Sequence, residues 1–191
     1  VQIEMESVCT AYLKRIGGYL APGFEPISFD IDGFEQEASV IIPVRNRVRT
    51  IEDAIRSVLM QETTFRFNLI IVDNHSTDGT SEAIEKYTTD KRVIHLIPER
   101  FDLGIGGCWN VGVHHPACGK FAVQLDSDDV YSGSDTLQKI VDTFYKEQCA
   151  MVIGTYMMTD FNMNEIAPGI IDRFQDERNS ARHHRPSGVD A

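Results

Sequence analysis

The sequence predicts an α/β fold, a mostly parallel sheet flanked by helices. Three observations predict it. Short β-branched apolar runs alternate with segments of helical periodicity across residues 38–160. The joints between them are short, as in strands linked by crossover helices. Polar residues gather directly after three of the apolar runs, and right-handed crossovers bring those carboxyl ends to one edge, where open α/β sheets bind ligands.

The elements follow in order. Residues 1–20, VQIEMESVCTAYLKRIGGYL, predict an amphipathic helix on which Ile3, Val8, Tyr12, Leu13 and Ile16 share a face. Pro22, Gly23, Pro26 and Gly33 break residues 21–37, which read as a linker. ASVIIPV (38–44) predicts a strand buried on both faces. TIEDAIRSVLMQ (50–61) predicts a helix, with Ile51, Ala54, Ile55, Val58 and Leu59 at helical spacing behind a capping-box-like Thr50 and Asp53. FNLIIVD (67–73) is the second strand, TSEAIEKY (80–87) a helix and RVIHLIP (92–98) the third strand. GIGGCWNVGVHHP (104–116) is glycine-rich and helical until Pro116. KFAVQLD (120–126) predicts a fourth strand, SDTLQKIVDTFYKEQ (134–148) a helix and AMVIGTYMMTD (150–160) a fifth strand. Residues 172–191 have almost no apolar content and predict a mobile tail. The expected organisation is a helix and linker over 1–37, a binding domain over 38–171 and a mobile or altered tail over 172–191.

Composition narrows the function. The 191 residues suffice for one sizeable core. A net charge of −11 argues against nucleic acid, whose backbone calls for a basic stripe. No apolar run approaches a membrane span, and the first residues carry Glu4 and Glu6 where a secretory signal carries positive charge, so a cytoplasmic location is expected. Peripheral membrane association of the full-length protein stays open. Cys9, Cys108, Cys118 and Cys149 lack Cys-x-x-Cys spacing and read as reduced packing residues. A first residue of valine suggests a piece of a longer chain.

Three constellations carry chemistry. The fourth strand runs into Asp126-Ser127-Asp128-Asp129, and carboxylates two apart on an extended chain face one side. Like charges so close suit a hard divalent cation, which takes one or two carboxylates plus phosphate and water oxygens. The second strand ends on Asp73, a carboxylate expected to need a partner, for which the ring N–H of a base is one candidate, with Asn74 beside it. After the first strand come Arg45, Asn46, Arg47 and Arg49, and arginine suits a diphosphate through bidentate hydrogen bonds. The stretch DLGIGGCWN (102–110) fails the dinucleotide fingerprint, because the third glycine position is Trp109.

Together these segments resemble a family 2 nucleotide-sugar glycosyltransferase of the GT-A, Rossmann-like fold. SVIIPVRNR is similar to that family's Val-Ile-Ile-Pro-x-Tyr-Asn opening, and IIVDNHSTDGT to its Val-Asp-Asp/Asn-x-Ser-x-Asp-Gly-Thr segment. LGIGGCWNVGV resembles its Gly-to-Asn-x-Gly stretch, and GKFAVQLDSDD its Asp-x-Asp strand. The resemblance implies a nucleotide site of Pro43, Arg45, Asn46, Asp73, Asn110 and Asp126, in which Pro43 and Arg45 border the base pocket, Asp73 accepts from the base and Asn110 supports the wall. It implies Mn2+ or Mg2+ on Asp128, with Asp126 at the ribose or the metal. Arg45 stands where the family usually has an aromatic residue. The implied reaction is inverting transfer from a nucleoside-diphosphate sugar, a uridine one by expectation, to a glycan or lipid-linked acceptor. The family's base follows the Asp-x-Asp motif; Asp176-Glu177 is the downstream acidic pair, and its surroundings do not resemble the acceptor segment, so the catalytic base is unassigned. The alternative is a nucleotide-sugar binding module inactive for transfer. A nucleotidyltransferase is disfavoured, because no Gly-rich loop carrying Arg and Lys follows the first strand.

Overall fold

Residues 2–21, 27–31 and 33–171 are described in this computed structural model. In chain order they form α1 (Gln2–Arg15), β1 (Ala38–Val44), α2 (Ile51–Leu59), β2 (Phe67–Asp73), α3 (Thr80–Glu85), β3 (Val93–Leu96), α4 (Gly104–Val113), β4 (Phe121–Gln124), α5 (Thr136–Glu147), β5 (Tyr156–Thr159) and β6 (Glu165–Ile171). The expected tail, the Asp176-Glu177 pair and residues 22–26 of the linker lie outside the described residues.

Four parallel strands make the main sheet in the order β3-β2-β1-β4. Every residue of β1 and β2 is buried, which is why these two central strands read as continuous apolar runs rather than alternating ones. One face carries Val40, Ile42, Val44, Leu69 and Ile71 against Ile51, Ile55 and Val58 of α2, Ile84 of α3 and Leu137 of α5. The opposite face carries Ile41, Ile70 and Val72 against Cys108 of α4. Each large aliphatic side chain removed fully from water contributes about 1.5–3 kcal/mol. Ile41, Ile42, Ile70 and Ile71 are fully buried, so the core centres on the middle of the sheet.

Glycine sets how closely α4 lies on the sheet. A Cβ on Gly112 would stand 2.5 Å from Ile41 Cγ2, so this position lets the helix backbone settle onto β1. Of the α4 glycines only Gly112 faces the sheet: Gly104 and Gly106 have open space at the Cβ position, and Gly107 meets Leu103.

The structure departs from the sequence reading in three places. The fifth strand does not join the parallel sheet: Tyr156–Thr159 pairs antiparallel with Glu165–Ile171 in a separate two-stranded sheet. Local turn chemistry wins there, because the Asp160 carboxylate accepts the backbone N–H groups of Asn162 at 2.8 Å and Asn164 at 2.9 Å and folds the chain back. The fourth strand stops at Gln124, two residues before the predicted end, and Asp129 N–H donates to the Asp126 carbonyl at 3.1 Å across a turn. The N-terminal helix forms, but Ile3, Val8, Tyr12, Leu13 and Ile16 are all exposed. Among the described residues no helix is long and apolar enough to cross a membrane. All four cysteines are free.

Candidate functional site

Parallel pairing brings the carboxyl ends of β1, β2 and β4 together, with β1 in the middle. Val44, the last residue of β1, lies opposite Asp73, the last of β2, and the Asn74 N–H donates to the Val44 carbonyl at 2.8 Å. On the other side the Leu125 N–H donates to the Ile41 carbonyl at 3.2 Å, which carries the acidic turn up to the same rim.

The loops after β1 and β2 are laced to one another. The Asn46 N–H donates to Ser76 Oγ at 2.9 Å, and Asn46 Oδ1 accepts the Thr77 N–H at 2.8 Å. The Arg47 N–H donates to Thr80 Oγ1 at 2.8 Å and the Val48 N–H to an Asp78 oxygen at 3.1 Å. Asn46 and His75 sit in the left-handed region at φ 54° and 57°, a conformation asparagine and histidine adopt more readily than most residues. Asn46 therefore works as a fastener between the two loops, with its amide oxygen already spoken for.

Asp73 is fully buried beneath this lacing. Its Oδ1 accepts the Ser76 N–H at 2.9 Å, and its Oδ2 accepts the Ser81 hydroxyl of α3. Burial opposes its ionisation, yet the His95 imidazole, 3.6 Å from Oδ2, and the donors of Ser76 and Ser81 outweigh burial and hold the carboxyl well below the usual carboxylate range. The partner that a buried carboxylate needs is thus supplied by the chain itself.

Its neighbour is the reverse case. Asn74 is 7% exposed, and its Oδ1 is buried with no hydrogen-bond partner among the described residues. Buried polar atoms are normally paired, and Asn74 Oδ1 shares its unpaired state with His95 Nε2 and the Tyr131 hydroxyl among the described residues. Sequence reasoning placed Asn74 on the rim without a role. Pro43 is buried within β1 on the face it shares with Ile41 and α4. Arg45 is exposed one residue beyond that strand.

The acidic turn supplies the rest. Ser127 is buried, and its carbonyl accepts the Thr50 hydroxyl at 2.9 Å, which fixes the turn against the start of α2. Gln124 Nε2 is 3.4 Å from Asp126 Oδ1. Asp128 is half exposed, and Arg47 Nε stands 3.6 Å from its Oδ2. Burial, followed by the charges of Asp126 and Asp128, pushes the Asp129 carboxyl up. This donor set fits a hard divalent cation: carboxylate oxygens on a turn, crowded enough to gain from a positive charge. Among the described residues no three His, Cys, Asp or Glu side chains converge as a ready cage, so Asp126 and Asp128 would hold an ion only with phosphate and water oxygens completing its shell. Asn110 lies exposed on α4, where no side-chain hydrogen bond ties it to the other predicted residues among those described. Arg49 lies over the Phe161 ring, 4.8 Å from its centroid, and so points to the β5–β6 hairpin.

Comparison with known proteins identifies the family. The family model for glycosyl transferase family 2 matches residues 39–188. An uncharacterized glycosyltransferase of Rickettsia felis is 38% identical over 97 residues, covering 51% of this chain and 15% of that protein. The GalNAc(5)-diNAcBac-PP-undecaprenol beta-1,3-glucosyltransferase of Campylobacter jejuni is 32% identical over 93 residues, covering 48% of this chain and 29% of that protein. The crystal structure of Staphylococcus aureus TarS 1–349 in complex with UDP-GlcNAc superimposes with a TM-score of 0.56 at 27% identity, over 64% of this chain and 34% of that one. This chain therefore spans only a minor part of the length of these relatives. The parallel sheet, the order of its motifs and the extent of the family match lead to one assignment: the chain belongs to glycosyl transferase family 2.

Proposed function

We propose that this chain carries the donor site of an inverting, metal-assisted glycosyltransferase that moves a sugar from a uridine diphosphate donor to the hydroxyl of a glycan or lipid-linked acceptor. The observation that carries the proposal is the convergence, at one sheet edge, of an orphaned buried acceptor on Asn74 with the Asp126–Asp128 turn and Arg47.

Each residue has a physical task. Asn74 Oδ1 accepts the ring N–H of the base, beside the Pro43 wall and under Arg45, whose guanidinium plane can lie over the ring. Asp73 positions this contact indirectly by holding residues 76 and 81. Asp126 faces the ribose and, with Asp128, holds Mn2+ or Mg2+. The bound ion would neutralise charge developing on the departing diphosphate. Thr50 holds the turn at a fixed height through the Ser127 carbonyl, so the turn's backbone need not reorganise as the donor enters. A carboxylate base for the acceptor is expected outside the described residues. The UDP-GlcNAc complex of TarS supports the uridine donor, and the undecaprenol-linked name of the Campylobacter relative supports the acceptor class.

The test is calorimetric titration of UDP with and without Mn2+. Asp128→Ala should abolish metal-dependent binding while leaving the melting temperature within about a degree, because the side chain is half exposed and outside the core. UDP binding that is indifferent to both Mn2+ and this substitution would refute the assignment. A donor-hydrolysis assay then separates an enzyme from a binding module.

A further inference from the structure

We propose that Arg47 is a cation surrogate: in the donor-free protein its guanidinium stands at Asp128 in place of the divalent ion, and it transfers to the donor's diphosphate when ion and donor bind. This rests on the metal site proposed above and adds an order of events to it.

The contact itself is the starting point. Arg47 Nε lies 3.6 Å from Asp128 Oδ2, and the two side chains are 50% and 53% exposed. A solvated, single-nitrogen pair of this kind is weak and exchanges readily. Its base, however, is rigid. The Arg47 N–H is held by Thr80 Oγ1 at 2.8 Å, and its carbonyl accepts the N–H groups of Thr50 at 3.1 Å and Ile51 at 3.0 Å. Thr50 in turn holds the Ser127 carbonyl. The distance between the Arg47 backbone and the acidic turn is thus fixed, and only the side chain is free to swing.

The local charge explains why a surrogate is useful. Asp126, Asp128 and Asp129 crowd one turn, and without a positive neighbour they repel. Of the three arginines after β1, Arg49 is turned to Phe161, and Arg47 is the one whose guanidinium reaches the turn among the described residues. Its NH1 also reaches the Asn46 carbonyl at 3.3 Å, on the loop that borders the base site. A divalent ion at Asp128 repels the guanidinium, while a diphosphate offers it paired oxygens that suit its fork. The ion alone must displace Arg47 and binds weakly; ion and diphosphate together give Arg47 a new partner.

Mn2+ titration followed by electron paramagnetic resonance, without nucleotide and at low salt, tests this on the parent chain, Arg47→Ala, Arg47→Lys and Asp128→Ala. Arg47→Ala should bind Mn2+ alone about 3- to 10-fold more tightly, as expected for removing one partly screened charge. Arg47→Lys keeps the charge and should stay within about twofold of the parent. At saturating Mn2+, calorimetry should show UDP binding to Arg47→Ala about tenfold more weakly, the loss of one charge-assisted contact. If Asp128→Ala loses Mn2+ while Arg47→Ala leaves either affinity unchanged, or Arg47→Lys behaves as Arg47→Ala, the surrogate is overturned and the metal site stands. If Asp128→Ala binds Mn2+ like the parent, both are overturned.

Discussion

Replacing Asn74 by leucine should pull binding and stability in opposite directions. Leucine shares the Cγ branching of asparagine but is bulkier, so at this site, 7% exposed, some of the gain is offset by tighter packing. In the donor-free protein Oδ1 is buried without a partner, a condition that costs about 1–3 kcal/mol. Removing that atom should stabilise the free protein by about 1 kcal/mol, or about 2–4 °C in melting temperature for a domain of this size. The donor feels the opposite effect, because its base N–H then enters a shielded position with no acceptor. A loss of about 1.4 kcal/mol corresponds to about tenfold weaker UDP binding. Thermal unfolding followed by circular dichroism reads the first quantity, and calorimetry with UDP and Mn2+ reads the second. Uridine should lose the same factor as UDP, since the contact is with the base. A variant that melts lower than its parent and binds UDP equally well would refute the reasoning at both points.

Other substitutions test the frame. Gly112→Ala should cost about 1–3 kcal/mol, because its Cβ would meet Ile41 Cγ2 at 2.5 Å; an unchanged urea midpoint would show that α4 rests more loosely on β1. Gln61→Ala should cost about 2–4 kcal/mol in the same assay, since the buried amide donates to the Ser57 carbonyl at 3.0 Å and the Gly133 carbonyl at 2.7 Å and accepts the Leu137 N–H at 2.9 Å. Asp73→Asn should destabilise by about 2–4 kcal/mol at neutral pH, leaving the Ser76 and Ser81 donors poorly matched. The pH dependence has a definite sign. The folded carboxyl titrates below its unfolded value of about 3.9, so its stabilisation is full above that value and disappears as pH falls through the folded one. Acid unfolding curves should therefore be shallower for Asp73→Asn, and identical curves would show that another group governs the acid limb.

The central sheet was legible because its signal is local and redundant. Each residue of ASVIIPV and FNLIIVD is buried, and unbroken β-branched runs between turn residues leave few other readings. The rim was legible from spacing, since Asp73, Asn74 and Asp126 each follow such a run. That Asp73 finds its donors within the chain while Asn74 Oδ1 finds none was not, because those donors belong to the following loop and α3. The extended reading of Asp126 and Asp128 failed because a backbone bond from Asp129 to Asp126 closes a turn, the conformation that an Asp-Ser-Asp-Asp run also favours. The fifth strand misled for a similar reason: its apolar run suits any sheet, and only the Asp160 turn decides for a hairpin. The Arg47–Asp128 contact joins residues far apart in the chain, so spacing along the sequence carried no trace of it.

The reciprocal bonds between Asn46 and residues 76–77, and between Arg47, Val48 and residues 78–80, have a practical bearing on redesign. Neither segment can be exchanged for a homologous one alone without stranding donors and acceptors in the other. Efforts to change donor choice by grafting should move both as a matched cassette, and a library that shuffles them independently would be dominated by misfolded members.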